Sequence, residues 1–189
     1  MTRIVAGRAG GRQLRVPPGA GTRPTGDRAR EGLFSTLESL VGDLTGLRFA
    51  DLYAGSGAVG LEALSRGAGH VLLVESAPKV ARVLRDNVEA LRLPGAVVRA
   101  EPVARVVATP ATAPYDVVFA DPPYALPAAE LAEELGRMVA GGWIVPVTVV
   151  AVERSSRDDP WSWPAPLEPV RSRRYGDTTL WYGRAASAT

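Results

Sequence analysis

Apolar and amphipathic segments alternate through the middle of the chain, and this alternation restricts the fold more than any other feature. Five short runs are apolar almost throughout and are predicted to be strands, at residues 46–52, 70–75, 96–100, 115–120 and 147–153. Helical patterns with apolar residues three or four positions apart separate them, at 58–66, 78–91 and 127–139. Strands that are apolar on both faces belong to a parallel sheet covered by helices on each side, so the pattern predicts an α/β fold.

The two ends of the chain depart from this alternation. Residues 168–184 form two extended runs around Gly176-Asp177, a typical hairpin turn, so we expect the sheet to finish with an antiparallel pair. Residues 3–17 predict a second hairpin that turns at Gly10-Gly11. We therefore expect an N-terminal β-hairpin extension over residues 1–22 and one larger α/β domain over 23–189.

A glycine-rich loop follows the first predicted strand. The segment DLYAGSGAVGLEAL places Gly55, Gly57 and Gly60 in the spacing G-x-G-x-x-G between a strand and a helix. Glycines let the backbone approach a ligand closely, and a helix N-terminus offers free N–H groups. Glu75 ends the second strand, where a carboxylate can hold both hydroxyls of a ribose. The loop predicts a nucleoside-cofactor site; the alternative is merely a tight turn.

Asp51 narrows the choice of cofactor. NAD sites are usually apolar up to the first glycine, whereas here a carboxylate precedes Gly55 by four residues. A carboxylate there repels phosphates and suits a ligand with positive charge, and S-adenosylmethionine carries both an ammonium and a sulfonium. The segment also resembles motif I of class I methyltransferases. That resemblance implies S-adenosylmethionine as cofactor and S-adenosylhomocysteine as product.

The same resemblance implies a set of cofactor-binding residues. Glu75 resembles the ribose-binding acid of these enzymes, and either Glu101 or the backbone of Ala100 would contact the adenine. Tyr53 either lines the pocket or packs beside it. The predicted cofactor site comprises Asp51, Tyr53, Gly55, Gly57, Gly60, Glu75, Ser76 and Glu101.

The fourth predicted strand ends in Asp121-Pro122-Pro123-Tyr124, which can neither continue a sheet nor begin a good helix. Ligands of an open parallel sheet bind beyond the carboxyl ends of its strands, where the strand order reverses. An exocyclic amino group bound there needs acceptors for both hydrogens, and the Asp121 carboxylate and the Pro122 carbonyl can supply them. The two prolines stiffen the turn, and Tyr124 can stack on a base that has left its own stack.

These four residues, Asp121, Pro122, Pro123 and Tyr124, are the predicted catalytic group, and their order resembles motif IV of amino-methyltransferases. Enzymes of that class that act on protein glutamine usually carry Asn at the first position, so Asp121 favours a nucleobase. The motif leaves guanine, adenine and cytosine open. Without the glycine loop, the same residues would indicate only a turn that ends a strand.

The N-terminal segment is strongly basic. Residues 1–30 contain seven arginines and one acidic residue, Asp27, whereas the rest of the chain carries a small excess of acids. This asymmetry predicts a polyanionic partner, although a merely solvated charged segment has the same composition.

The chain resembles the RsmD family of bacterial 16S rRNA guanine-N2 methyltransferases over nearly its whole length. In the opening segment the resemblance is carried by Arg3, Gly7, Gly11, Arg23-Pro24-Thr25, Asp27-Arg28, Glu31 and Phe34. It continues through the glycine loop, D-P-P-Y and RRYGDTTLWYGR. The resemblance implies a class I, Rossmann-like methyltransferase domain with a seven-stranded, mainly parallel sheet, a terminal antiparallel hairpin and an N-terminal hairpin extension.

The resemblance also implies the reaction and the partner. A methyl group would pass from S-adenosylmethionine to the exocyclic N2 of guanine 966 of 16S rRNA in the assembled 30S subunit. Basic residues of the N-terminal segment and of the last hairpin would then bind the RNA: Arg3, Arg8, Arg12, Arg15, Arg23, Thr25, Arg28, Arg173 and Arg174, with Arg171 beside them. Residues 155–166 depart from the family pattern as an irregular loop, in which packing roles are favoured for Trp161 and Trp163.

The remaining composition restricts the class of protein. The chain has no cysteine and one histidine, His70, for which we expect a structural role, so it predicts neither disulfides nor a metal site. No apolar run is long enough to span a bilayer and no signal peptide is evident, so we expect a cytoplasmic protein. The sequence leaves the oligomeric state open, and a monomer is the default expectation. Two alternatives stay open: an amino-methyltransferase acting on DNA adenine or protein glutamine, and a non-catalytic ribosome-assembly factor.

Overall fold

The computed structural model describes residues 2–17 and 26–186. Two short strands form the N-terminal hairpin, β1 (Thr2–Arg3) and β2 (Gln13–Leu14). The other strands are β3 (Arg48–Leu52), β4 (His70–Val74), β5 (Ala96–Arg99), β6 (Val117–Ala120), β7 (Val149–Ser155), β8 (Leu167–Tyr175) and β9 (Thr178–Ala185). The helices are α1 (Asp27–Val41), α2 (Ala58–Ser65), α3 (Pro78–Leu91), α4 (Val103–Val106) and α5 (Ala128–Ala140).

Strands β3 to β9 form one seven-stranded sheet in the order β5-β4-β3-β6-β7-β9-β8. The first five of these strands are parallel, and β9 pairs antiparallel with both β7 and β8. The predicted α/β fold, with a mainly parallel sheet and a terminal antiparallel hairpin, is confirmed. The seven strands and their directions agree with what the resemblance to class I methyltransferases implied.

The strand order reverses at β3, because the chain first adds β4 and β5 on one side and then β6 and β7 on the other. Leu52 at the end of β3 pairs with Ala120 at the end of β6. The loop that follows β3 and the loop that follows β6 therefore leave the sheet side by side. A parallel sheet binds its ligands at this kind of position.

Each face of the sheet is covered by its own apolar cluster. Alternate residues of β3 point to opposite faces, so Phe49 packs with α1, α2 and α3, whereas Ala50 packs with α4 and α5. Helix α4 was not predicted, because four residues are too few to show a helical period. Trp161 is buried against the second cluster and meets Trp163 edge-on at 5.8 Å, which confirms their packing role.

The N-terminal arm, residues 2–17, packs against the domain instead of projecting from it. Its residues Ile4, Ala9 and Leu14 are buried in the cluster that contains α1, α2 and α3. The carboxylate of Glu62 on α2 is fully buried; it accepts the Val5 N–H at 3.1 Å and the Arg30 Nε–H at 2.8 Å. A hydrogen bond to a buried carboxylate and apolar burial thus fix the arm to α1 and α2.

Two structural findings apply to the described residues alone. Within 2–17 and 26–186, no helix is both long and apolar enough to cross a membrane. The same residues hold no group of three or more side chains suited to binding a metal ion.

Candidate active site

A cavity of about 470 Å³ opens at the reversal of the strand order. Its walls come from the loops after β3, β4, β5 and β6, from the start of α5 and from the end of the N-terminal arm. The predicted cofactor and target motifs meet there: the lining includes Asp51, Tyr53, Gly55, Glu75, Ser76, Asp121 and Pro123.

The three glycines of the loop after β3 serve different purposes. Gly55 has a left-handed backbone (φ +57°), and a Cβ added there would meet no atom within 4 Å. Gly57 is also left-handed (φ +87°), but a Cβ there would lie 2.5 Å from the Leu84 side chain. At Gly60 a Cβ would lie 2.5 Å from the Leu73 side chain. Gly55 therefore leaves room at the cavity, whereas the other two permit close packing of α2.

Asp51 lies beneath the glycine loop and is almost completely buried. Its Oδ2 accepts the N–H of Gly60 at 2.8 Å, which fixes the first turn of α2. Burial raises the pKa of Asp51 to about 7, with the negative charge of Glu75 adding to the effect and the Gly60 hydrogen bond opposing it. A buried acid of this kind favours a cationic ligand, because a positive charge nearby offsets the cost of ionisation.

Glu75 is held by the backbone on both of its carboxylate oxygens. One oxygen accepts the Gly55 N–H at 3.0 Å and the other accepts the Ala77 N–H at 2.8 Å. Each oxygen has a second lone pair with which to accept another hydrogen bond. The carboxylate is therefore fixed in orientation at the cavity wall, and Ser76 lines the cavity beside it.

Tyr53 both lines the cavity and packs. Its backbone is left-handed (φ 61°), an uncommon conformation for a bulky residue, and its hydroxyl donates to the Glu134 carboxylate of α5. Burial and this hydrogen bond raise the pKa of Tyr53, and burial also raises the pKa of Glu134. Glu134 was not predicted. An acidic residue that shares the apolar face of a predicted helix with Leu131 and Leu135 is the sequence signal that could have found it.

Glu101 lies outside the cavity lining. Its carboxylate pairs with Arg99 at 2.7 Å and with Arg105 at 3.3 Å. The cavity wall on this side is formed by Pro102, Val103 and Ala104. An adenine contact by Glu101 stays a prediction.

The residues of the predicted catalytic group have different surroundings. Asp121 and Pro123 line the cavity, and Pro122 is buried. A small pocket behind the loop is bordered by Asp121, Tyr124 and Glu153. Burial raises the pKa of Asp121 well above its usual range; Glu153 and Asp51 add to the shift and Arg154 opposes it. Tyr124 is 63% exposed, so its ring is available to a partner.

The arm arginines have contacts within the protein as well as exposed surface. Arg3 pairs with Asp27 at 3.3 Å, and Arg15 pairs with Asp86 at 3.6 Å. Arg8 and Arg12 donate to backbone carbonyls of Leu64 at the end of α2 and of Ala90 and Leu91 at the end of α3.

The other predicted RNA-binding residues lie elsewhere. Arg28 is exposed on α1, and Arg171, Arg173 and Arg174 are exposed on β8 at the edge of the sheet. Arg23 and Thr25 lie outside the described residues. His70 hydrogen bonds through Nε2 to the Tyr115 hydroxyl at 3.2 Å, in agreement with the structural role expected for it.

Comparison with known proteins identifies the family. Residues 2–184 match the family model described as "Conserved hypothetical protein 95". "Ribosomal RNA small subunit methyltransferase D" of Escherichia coli K12 is 38% identical over 151 residues, which are 80% of this chain and 73% of that protein. The chain belongs to the RsmD family. The family predicted from the sequence is thereby confirmed.

Two further comparisons agree with this membership. The Haemophilus influenzae protein of the same name is 37% identical over 161 residues, or 84% of this chain and 80% of that protein. The solved structure of yhhF from Escherichia coli superimposes with a TM-score of 0.84 at 31% identity, covering 98% of both chains. The likeness therefore includes the N-terminal arm as well as the methyltransferase sheet.

Proposed function

We propose that this protein transfers a methyl group from S-adenosylmethionine to the exocyclic N2 of a guanine in 16S rRNA, within the assembled 30S subunit. The observation that carries the proposal is that Gly55 and Asp121 border one cavity at the reversal of the strand order. The names of the 37–38% identical relatives support small-subunit rRNA as the substrate. The assignment of guanine N2 as the methylated atom, and of guanine 966 as the target nucleotide, rests on the family resemblance.

The cofactor residues fit S-adenosylmethionine. Gly55 leaves open space beside the cavity, Glu75 presents oriented lone pairs for ribose hydroxyls, and Asp51 offers negative charge to a cationic ligand. When bound, the cofactor supplies an electrophilic methyl group on a sulfonium. We assign Asp51, Tyr53, Gly55, Glu75 and Ser76 to the wall that holds it, and Gly57 and Gly60 to the packing beneath that wall.

The target residues would position the amino group. The lone pair of an exocyclic amine is delocalised into the ring, so the amine attacks well only when its hydrogens are bound and its lone pair points at the methyl carbon. In the proposal Asp121 and the Pro122 carbonyl accept the two hydrogens, Pro123 keeps the turn rigid, and Tyr124 stacks on the base. Such positioning lowers the activation free energy of methyl transfer by several kcal/mol, of the order known for near-attack geometry.

Asp121 is also suited to accept a proton. Once it had received the methyl group that the bound sulfonium supplies, the amine nitrogen would be strongly acidic and would have to lose one hydrogen. The raised pKa of Asp121 makes its carboxylate a better base than an ordinary aspartate. Because only the ionised carboxylate accepts, methyl transfer is expected to fall as pH decreases through that raised pKa.

The RNA partner would be bound by basic residues of the N-terminal arm, of α1 and of β8. In the proposal residues 1–22 are an RNA-binding extension and residues 23–189 the methyltransferase domain. Arg3, Arg8, Arg12 and Arg15 combine their internal contacts with phosphate contacts, because a guanidinium has five N–H donors. Arg28 and the β8 arginines extend the basic surface. The proposal also takes the protein to act as a monomer in the cytoplasm.

One labelling experiment tests the function. Methyl-labelled S-adenosylmethionine is supplied with 30S particles lacking the modification, with naked 16S rRNA, with DNA or with protein, and the label is mapped. The expected result is label on one guanine N2 in the 30S particle and none with the Asp121→Ala variant. Label on DNA adenine or glutamine, or on no substrate at all, would refute the proposal in favour of the corresponding alternative.

A further inference from the structure

The side chain of Asn87 connects the N-terminal arm to the glycine loop. Asn87 lies on α3 and is 2% exposed. Its Oδ1 accepts the Arg15 N–H at 2.9 Å, while its Nδ2 donates to the carbonyls of Arg15 at 3.0 Å and of Ser56 at 2.9 Å. The partners fix the amide orientation, because two carbonyls require the N–H₂ group and one N–H requires the oxygen.

These bonds relate two walls of the cofactor cavity to one another. Ser56 stands between Gly55 and Gly57, and both Gly55 and Ser56 line the cavity. Val16 and Pro17 follow Arg15 and form part of the same lining. The glycine loop and the arm thus share one buried amide, so a shift of either backbone would strain the same set of hydrogen bonds.

The arm has a second anchor that lacks this connection. The Ser65 hydroxyl accepts the Ala9 N–H at 2.8 Å and donates to the Ala6 carbonyl at 2.6 Å. Ser65 is also 2% exposed, but it ends α2 at the turn of the arm and does not line the cavity. Ser65 and Asn87 thus fasten the same arm through buried side chains, and Asn87 alone of the two also holds the glycine loop.

We propose that Asn87 is a positioning residue that couples cofactor binding to the N-terminal arm, so that bound cofactor strengthens RNA binding. The part of this inference that concerns RNA binding rests on the proposed function. Coupling of two sites is reciprocal, so RNA must strengthen cofactor binding by the same factor. The amide is suited to this role because a rigid, fully hydrogen-bonded side chain transmits a displacement that a flexible one would absorb.

The test measures the coupling factor directly. The dissociation constant of S-adenosylhomocysteine, which cannot react, is determined with and without saturating 30S particles that lack the modification. In the wild-type protein the particles are expected to tighten binding by at least about fivefold, the lower end of typical couplings. In Asn87→Ala and Asn87→Asp the factor falls to within about twofold of one, whereas Ser65→Ala keeps the wild-type factor.

Comparison of the two Asn87 variants distinguishes a loss of coupling from a folding defect. Asn87→Asp keeps the size and the acceptor for the Arg15 N–H but loses both donations. A wild-type factor near one, an unchanged factor in the Asn87 variants, or an equal loss in Ser65→Ala would each overturn the inference, even if the protein methylates rRNA.

Hydrogen exchange of the protein without RNA separates the inference from the proposed function. S-adenosylhomocysteine is expected to slow exchange of the Arg15 amide in the wild-type protein and in Ser65→Ala, but not in Asn87→Ala. Unchanged Arg15 exchange in the wild-type protein overturns the inference by itself. If no 30S particle is bound or modified, the proposed function fails, and this measurement still decides the role of Asn87.

Discussion

The glycine loop (residues 51–60) and the target loop (residues 121–126) end neighbouring strands and border one cavity, yet they are held by different means. Side chains fix the backbone of the glycine loop: Asp51 accepts from Gly60, Glu75 accepts from Gly55, and Asn87 donates to Ser56. In the target loop two successive prolines restrict the backbone torsions, and Tyr124 extends into solvent with 63% of its surface exposed.

The difference follows from what each loop would bind. A small cofactor binds more tightly to a site that is fully formed beforehand, because binding then requires no loss of conformational entropy in the loop. A base that must leave its stack needs a rigid acceptor and an accessible ring, not a closed wall. Changes in the glycine loop should therefore alter stability and cofactor affinity, whereas changes in the target loop should alter catalysis with little effect on either.

Asp121→Ala should have the largest effect and test the target side of this contrast. Removing both an acceptor and the proposed base is expected to slow methyl transfer about a thousandfold in single-turnover assays. The dissociation constant of S-adenosylhomocysteine and the urea midpoint should stay close to wild type. Asp121→Asn serves as the matched control, since it keeps an acceptor without the base and should lose less. Full activity of the alanine variant would remove the proposed mechanism.

Two glycine substitutions separate stability from binding on the cofactor side. Gly57→Ala forces a left-handed alanine whose Cβ lies 2.5 Å from Leu84, so it should lower the free energy of unfolding by about 2–3 kcal/mol. Gly55→Ala has open space around its Cβ and should cost only about 1 kcal/mol. It should, however, weaken cofactor binding more than Gly57→Ala does. Urea denaturation and calorimetric titration measure the two effects, and the reverse ranking would contradict the assignment of Gly55 to the cofactor wall.

Replacing Tyr124 should show that the target loop contributes to catalysis without stabilising the fold. Loss of the ring in Tyr124→Ala is expected to lower kcat/KM on 30S particles about tenfold, as for one lost base–aromatic stack. Tyr124→Phe keeps the ring and should stay within about twofold. Because the side chain is exposed, both variants should unfold within about 0.5 kcal/mol of wild type. An equal loss in the two variants would point to the hydroxyl instead of stacking.

Protonation of Asp51 provides the smallest but most specific test of the cofactor side. A cationic ligand near a carboxylate with a pKa of about 7 lowers that pKa, so binding at pH 7 should release up to about half a proton. Calorimetric titrations in buffers of different ionisation enthalpy measure the release, and Asp51→Asn should abolish it. Proton uptake, or release that persists in the variant, would exclude Asp51 as the group that senses the ligand charge.

The same pKa shift sets the pH dependence of the free protein. Its folded value is raised above the ordinary 3.8, so the protonated group contributes stability that is fully present below pH 3.8. That contribution is lost as pH rises through about 7. Denaturant unfolding between pH 4 and pH 8 should therefore show a steeper decline for wild type than for Asp51→Asn.

Much of the architecture was predictable because it depends on local periodicity. Apolar runs identified the five parallel strands, Gly176-Asp177 identified the last turn, and the reversal of strand order brought Asp121 beside the glycine loop. Helix α4 was not predicted, because four residues are too few to show a helical period. The position of Val16 and Pro17 in the cavity wall was not predicted either, since nothing in their local sequence shows which element they contact.

The sequence by itself determined the family, the sheet and the motifs that carry the proposed chemistry, because each is written in residues that are neighbours along the chain. Only the tertiary structure decided which glycine borders the cavity, what raises the pKa of Asp51, and that Asn87 joins Arg15 to Ser56. These properties arise from contacts and burial between residues tens of positions apart. Spacing along the chain does not fix such distances; the packing of α2 and α3 on the sheet does.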